Sequence, residues 1–504
     1  MSTQEAVFRT CPVTGLKVHN SAQKLIIANA VAAVLSLALG GTMALLIGLT
    51  RWEAVHLLPA DWFYRLLTGH GIAMLVFWIV FFEVAGLYFG GAVLLNARLV
   101  APGIAWLAFA LMAVGAILTE IMVLMGKSSV MFTAYVPLEA APLFYVGVIL
   151  FAVGALVAVG LFFATVVVAR VEGRFTGSVN LVTFGLITAA IIAVFTILMG
   201  AAAYISAFLW SLGVIKTLDA GVYRVLFWGF GHPAQQINLA AMVASWYALA
   251  SLTVGAKPLN EKLSRFAFLL YILFINLGSI HHLLVDPGLS TANRIFNTSY
   301  AMYLAVVGSM IHAFSIPSSI EVAQRAKGHK GLFGWLIKAP WKEPGFAALV
   351  VSMLMFGFIG GVTGVLQGME QLNLMVHNTL MVPGHFHATV VAGTTIAFMG
   401  LAYYVVPLIS QRQLVGRRWA QVQPYLYGFG LFILIAGMWL SGRLGVARRD
   451  WDINATGSLF APTYSSGTDL TLALLGIGAV LAVIGGAIFV ILMVLTLLVG
   501  KKQA

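Results

Sequence analysis

Besides His312, six histidines fall inside or at the ends of long apolar stretches: His70, His232, His281, His282, His385 and His387. An ionisable side chain is costly there and usually marks a functional site. Counted along each stretch at about 1.5 Å per residue, all six reach the same membrane level, on four separate stretches. Neutral imidazoles gathered in this way suit copper or iron. His385 and His387 are two residues apart, so on a helix they point about 200° from each other. They cannot serve one ion, but each can hold a different one on opposite faces. His281 and His282 are adjacent and diverge by about 100° on a regular helix. A helix end just before Asp286-Pro287-Gly288 would let them converge. His232 is followed by Pro233, which frees backbone and distorts a helix.

The elements that carry these residues must live in lipid. Of 504 residues, 61% are hydrophobic and 9% charged. A soluble domain carries roughly a quarter charged residues. Twelve stretches are long enough to span a bilayer: about 23–50, 66–95, 103–126, 139–169, 180–213, 222–254, 264–285, 295–323, 345–368, 383–408, 424–442 and 471–499. The expected fold is an all-α integral membrane bundle of twelve helices over 23–499. A polar N-terminal segment, 1–22, and a short tail, 500–504, flank it. No cleavable signal is read in the first 22 residues.

Lys and Arg alternate between loops. One set of loops holds 19 of the 28, from Arg9, Lys17 and Lys24 to Lys501 and Lys502; the other holds nine, among them Arg51, Arg443, Arg448 and Arg449. The positive-inside rule then places both termini in the cytoplasm and the six histidines in the outer half of the membrane. The net charge of +12 belongs to cytoplasmic loops beside lipid, so no nucleic-acid partner is expected. A single cysteine, Cys11, excludes a disulfide framework, a four-cysteine zinc site and a c-type heme attachment. His19, His56 and His329 are placed in loops as ordinary surface residues. Glu83, Glu120 and His312, inside spans, are read as structural hydrogen-bonding groups, with proton relay as the alternative.

The chain resembles the heme-copper oxidoreductase superfamily, and most nearly its B-type oxidase branch. The matching pieces are His70-Gly71, Gly231-His232-Pro233, His281-His282 with Asp286-Pro287-Gly288, Val376-His377-Asn378-Thr379, Val382-Pro383-Gly384-His385-Phe386-His387 and Arg448-Arg449. The resemblance implies two hemes and one non-heme metal. His70 and His387 would be axial ligands of a low-spin heme, and His385 the proximal ligand of a high-spin heme. His232, His281 and His282 would hold the non-heme metal. Arg448, Arg449 and His377 would lie at the heme propionates.

The same resemblance exposes departures. Oxidases of the superfamily draw one electron from a tyrosine linked to a metal-ligand histidine. Its two known positions correspond here to Gln236 and Ile275, and Tyr271 lies a full turn from the second. A tyrosine of the B-type proton path is replaced by Val243, although Tyr247 is retained. Nitric oxide reductases lack the linked tyrosine, because coupling two NO molecules takes two electrons rather than four. Their better-known members carry an iron-ligating glutamate where Gln236 stands. Loss of that hard carboxylate shifts the expectation from iron to copper. Gln236 is i+4 from His232 and shares its face.

The expected function is a respiratory NO reductase with Gln236 in a catalytic role. The rivals are a dioxygen-reducing cytochrome oxidase subunit I, an NO dismutase and, from another class, a twelve-span secondary transporter. With no copper-binding cysteine pair and no c-heme motif in the chain, the electron donor is expected on another subunit or a soluble cytochrome c. The expected location is a bacterial or archaeal cytoplasmic membrane.

Overall fold

The computed structural model describes residues 7–275, 278–454 and 463–503. Eleven long apolar helices cross the bundle among the described residues. They are α1 (Asn20–Arg51), α2 (Ala60–Val93), α3 (Pro102–Leu124), α4 (Pro142–Val171), α5 (Leu181–Ser211) and α6 (Ala220–Val254), then α8 (Thr291–Ala326), α9 (Pro344–Gly368), α10 (Met381–Ser410), α11 (Arg417–Arg443) and α12 (Gly467–Val499). The seventh expected span, 264–285, is built from pieces rather than one helix. It starts as α7 (Glu261–Leu270), widens into a π turn (Tyr271–Ile275) and ends in a 3-10 turn (Ser279–Leu283). Residues 276 and 277, and the side chain of Ile275, lie outside the described residues.

Helix starts are set by side-chain caps. Asn180, Asp219, Asn260 and Ser290 each accept from a backbone N–H three residues on, at the heads of α5, α6, α7 and α8. Such caps satisfy donors that have no intrahelical partner. Large apolar side chains such as Leu107, Val167 and Phe358 face outward, as lipid requires. Inside, small residues let backbones meet. A Cβ on Gly437 of α11 would lie 2.4 Å from the Leu475 backbone nitrogen of α12, so nothing larger than glycine fits.

The N-terminal segment is more ordered than its polarity suggests. Phe8–Thr10 (β1) and Lys17–His19 (β2) form an antiparallel hairpin, with Arg9 opposite Val18. Its Arg9 donates to the Leu408 and Ile409 carbonyls at the end of α10. This docking corrects one expectation. His19 is buried rather than surface-exposed, and its Nδ1 accepts from the Leu99 N–H at 3.3 Å. Cys11 is a free thiol, also buried.

Polarity inside the spans divides into two kinds. His312 is hydrogen-bonded, its Nδ1 lying 3.0 Å from the Tyr247 hydroxyl, which meets Ser264 Oγ at 2.9 Å. That string stops at His312 Nε2, which has no partner; a separate pair, Tyr271 and Ser309, lies nearer the large cavity at 3.1 Å. The hydrogen bond expected for Glu120 is not formed, because its carboxylate faces Gly69 and both oxygens lack partners. Glu83 likewise leaves Oε1 without one.

Candidate metal and heme centre

One end of the bundle is hollow. A cavity of about 640 Å³ lies between α1, α2, α6, α8, α9, α10, α11 and α12. His70, His232, His281, His282, His385 and His387 all line it, so the six residues singled out by spacing face one space.

Three of them form a tight cluster. The ligand atoms of His232, His281 and His282 lie within 4.8 Å of one another. His232 Nδ1 is 3.2 Å from His282 Nε2. Two nitrogens each about 2.0 Å from one ion at a tetrahedral angle would be about 3.3 Å apart, so the spacing fits a shared metal. The 3-10 turn at Ser279–Leu283 carries the two adjacent imidazoles with ring centres 4.2 Å apart, the convergence that a regular helix would oppose. α6 runs through Pro233 as one helix, so the expected distortion at His232 does not interrupt it.

His70 and His387 face each other across the cavity from α2 and α10. Their ring centres are 6.3 Å apart and their planes 20° from parallel. An iron with two imidazole nitrogens at about 2 Å, each about 1.2 Å from its ring centre, calls for about 6.4 Å. Both Nδ1 atoms are anchored on carbonyls, His70 on Gly40 at 3.0 Å and His387 on Pro383 at 2.7 Å. This fixes the tautomer and leaves Nε2 for a metal. His385 points away from His387, toward α9, where its Nδ1 meets Thr363 Oγ1 at 3.0 Å. The ring packs against Gly364, whose added Cβ would sit 2.8 Å from His385 Cε1. A π-helical stretch begins at His387 and runs to Thr395, facing another on α9 at Met355–Gly361. Such stretches are frequent at functional sites.

A family model described as cytochrome c and quinol oxidase polypeptide I matches residues 24–481. The chain belongs to that family, subunit I of the heme-copper oxidoreductases. Cytochrome c oxidase subunit 1 of Thermus thermophilus is 30% identical over 397 residues, 77% of this chain and 69% of that one. Quinol oxidase subunit 1 of Bacillus subtilis is 24% identical over 418 residues, 78% of this chain and 60% of that one. A heme-copper terminal oxidase solved as a dimer by cryo-EM has a similar fold, with a TM-score of 0.90 over 97% of this chain and 86% of that one, at 24% identity. This heme-copper subunit is therefore an integral membrane oxidoreductase of a family that binds hemes and a further metal centre. The membrane transporter reading is set aside.

Around the histidines, the heme-copper subunit adds partners that spacing did not single out. Trp228, one turn before His232, stacks on His282 with ring centres 3.7 Å apart and planes 3° from parallel. Its indole N–H donates to the Tyr135 hydroxyl at 2.6 Å. Arg224 of α6 holds Asp286 through two hydrogen bonds, one of 2.9 Å, tying the chain after His282 back to α6. Asn373 donates to the His281 carbonyl. The i, i+4 spacing of Trp228 and His232 was available in the sequence; the Arg224–Asp286 and Asn373 contacts join distant segments and carried no local signal.

Gln236 lies on the far edge of His232, its amide 3.1 Å from His232 Nε2. It stands beside a ligand candidate rather than in the cluster. Gln235 and Asn238 bond to each other at 3.2 Å, within α6. Arg448 and Arg449 also line the cavity. Their loop is pinned to the start of α10, with Arg448 N donating to Asn378 O at 2.8 Å and Leu380 N to Val446 O at 2.9 Å. Burial, and then Arg449, pull the Arg448 guanidinium down to about 10. His377 sits in the same connection, and burial followed by Arg448 lowers it to about 4, so it is neutral at pH 7.

Proposed function

We propose that this subunit reduces nitric oxide to nitrous oxide, 2 NO + 2 e⁻ + 2 H⁺ → N₂O + H₂O, at a high-spin heme on His385 and a copper ion on His232, His281 and His282. The carrying observation is that a carboxamide, Gln236, meets His232 Nε2, where the family's oxidases place a phenol. Two metals supply the two electrons that NO coupling needs, whereas dioxygen needs four. Three imidazoles without a carboxylate suit copper better than iron.

His70 and His387 hold the low-spin heme through which electrons enter from a separate donor, a partner subunit or a cytochrome c. Arg448, Arg449 and His377 receive the propionates. The bound hemes supply the electron transfer and the iron to which NO binds. The protein's part is to orient them and to keep the site dry. Trp228 holds His282 in plane, and Gln236 fixes the direction of His232 and offers its remaining polar atoms to the substrate side. Preorganised donors of this kind are a common source of catalytic stabilisation. Both termini lie in the cytoplasm of a bacterial or archaeal cell, which puts the centre toward the outer face.

The second reading is an oxidase, favoured by the likeness to cytochrome c oxidase subunit 1 and by Tyr271 on the cavity wall. The deciding experiment is turnover of the purified complex with NO under anaerobic conditions and then with dioxygen. NO consumption well above dioxygen consumption is expected. Rapid dioxygen reduction with negligible NO consumption would replace the proposal with the oxidase reading.

A further inference from the structure

Two amides of α6, Gln235 and Asn238, and one acid of α2, Glu83, have no part in the centre described so far. They meet at a second cavity. It holds about 180 Å³ between α2, α4, α5 and α6, and Leu75 lines both it and the large one. Glu83 and Asn238 line this second cavity from two sides, and both are buried. Glu83 Oε1 has no hydrogen-bond partner, and the residue forms no ion pair among the described residues. Asn238 donates to Gln235 Oε1 at 3.2 Å, and Gln235 lines the large cavity. A hydrogen-bonded amide pair therefore joins the two spaces. Counted along the helices, Asn238 lies about 9 Å deeper than His232, and Glu83 about 20 Å deeper than His70. Among the described residues, the one other ionisable side chain on this wall is Tyr204, whose hydroxyl donates to the Phe132 carbonyl at 2.7 Å. An ionised carboxylate without a partner is strongly unfavourable in such a place. The resting group is the acid, holding a proton that no described neighbour accepts.

We propose that Glu83 is a proton-relay residue. It hands its proton through the second cavity, past Asn238 and Gln235, to the centre, and takes another from the side of the membrane away from the histidines. Intramembrane acids commonly serve in this way. The cavity has room for about six waters. Much of its wall is apolar, with Phe77, Val80 and Leu186 among the lining, so water stays only where polar groups hold it. Glu83 anchors water at the deep end and Asn238 nearer the centre. The amides do not carry the proton themselves; their oxygens and N–H groups orient the water that does. Only O–H bonds form and break, and no electron moves. The acid becomes a carboxylate on giving up its proton and an acid again on refilling. The inference rests on the reading that the six histidines build a proton-consuming centre, and it holds for NO and dioxygen alike, since reduction of either takes up protons.

The test uses the holo-complex with Glu83→Gln, Glu83→Asp and Asn238→Leu, each assayed with NO and with dioxygen. Glutamine keeps the shape of Glu83 and loses its proton. It is expected to lower turnover roughly a hundredfold, the lower end of what a positioned proton donor contributes, while the electron donor still reduces the low-spin heme at the wild-type rate. Glu83→Asp keeps an acid and should restore most of the turnover. Asn238→Leu should slow turnover with Glu83 intact. A readout apart from turnover is the infrared difference between wild type and Glu83→Gln, which should contain the carbonyl stretch of a protonated carboxyl. Its absence would overturn the relay, because Glu83 would then rest ionised. Wild-type turnover in Glu83→Gln would overturn it too. An equal loss in Glu83→Gln and Glu83→Asp, or a loss of heme reduction along with turnover, would confine Glu83 to packing. Should Glu83→Gln fail to assemble, Asn238→Leu decides: slowed turnover with normal heme reduction supports the route, and unslowed turnover overturns it. A wild-type complex that reduces neither gas would instead strike the reading of the centre itself.

Discussion

Gln236→Leu removes the polar neighbour of His232 Nε2 while keeping much of the side chain's volume. In the native chain the amide lies 3.1 Å from that nitrogen, one turn along α6. With His232 Nδ1 turned toward His282 and a shared metal, Nε2 would carry the ring proton, and the Gln236 carboxamide, whose nitrogen faces Nε2 in this structure, would turn over to accept it through its oxygen. Leucine leaves that buried N–H without a partner, at a cost of about 1–3 kcal/mol. At about 1.4 kcal/mol per factor of ten, copper affinity should fall roughly 5- to 150-fold. Loss of an outer partner to a metal-bound histidine typically costs about 10- to 100-fold, in agreement. The assay is competition for copper between the heme-loaded complex and a chelator of known affinity, followed by copper-to-heme ratio. Both hemes should stay, since Gln236 contacts neither His70, His385 nor His387. NO turnover should fall with copper occupancy. A leucine variant that holds copper as tightly as wild type would show that the contact does not position His232. The reasoning would then fail at its first step.

Four other outcomes are expected. His70→Ala and His387→Ala should each abolish the low-spin heme spectrum and leave the high-spin heme; an unchanged spectrum in both variants removes that assignment. Elemental analysis should find about one copper and two heme irons per chain, given three imidazoles and no carboxylate; three irons without copper would mean that Gln236 or another group supports an iron site. Gly364→Ala places a methyl group 2.8 Å from His385 Cε1; it should diminish the carbon monoxide spectrum of the high-spin heme and spare the low-spin one, and an unaltered carbon monoxide spectrum would count against His385 as proximal ligand. Trp228→Ala removes a ring stacked at 3.7 Å on His282 and should loosen copper without releasing heme; copper retention equal to wild type would limit Trp228 to packing.

The sequence by itself determined that the chain lives in lipid, roughly where its helices lie and which histidines matter. Those properties are local or periodic. A span is a run of apolar residues, and a histidine inside one stands out because burying it is costly. Two residues of separation on a helix were enough to send His385 and His387 to opposite faces. The seventh span was legible only as an apolar run. That it breaks into α7, a π turn and a 3-10 turn depends on what must meet at its end, His281 and His282 against His232 on α6. The burial of His19 escaped the sequence because it comes from a hairpin docking on the ends of distant helices. Arg51 was counted as a loop charge because nothing beside it in the chain reveals a cavity. Only the meeting of α1 with the Arg448 loop, 397 residues away, buries it on the wall of the cavity. Composition and spacing fix what each residue can do, and the packing of helices far apart in the chain decides which of those residues share one space.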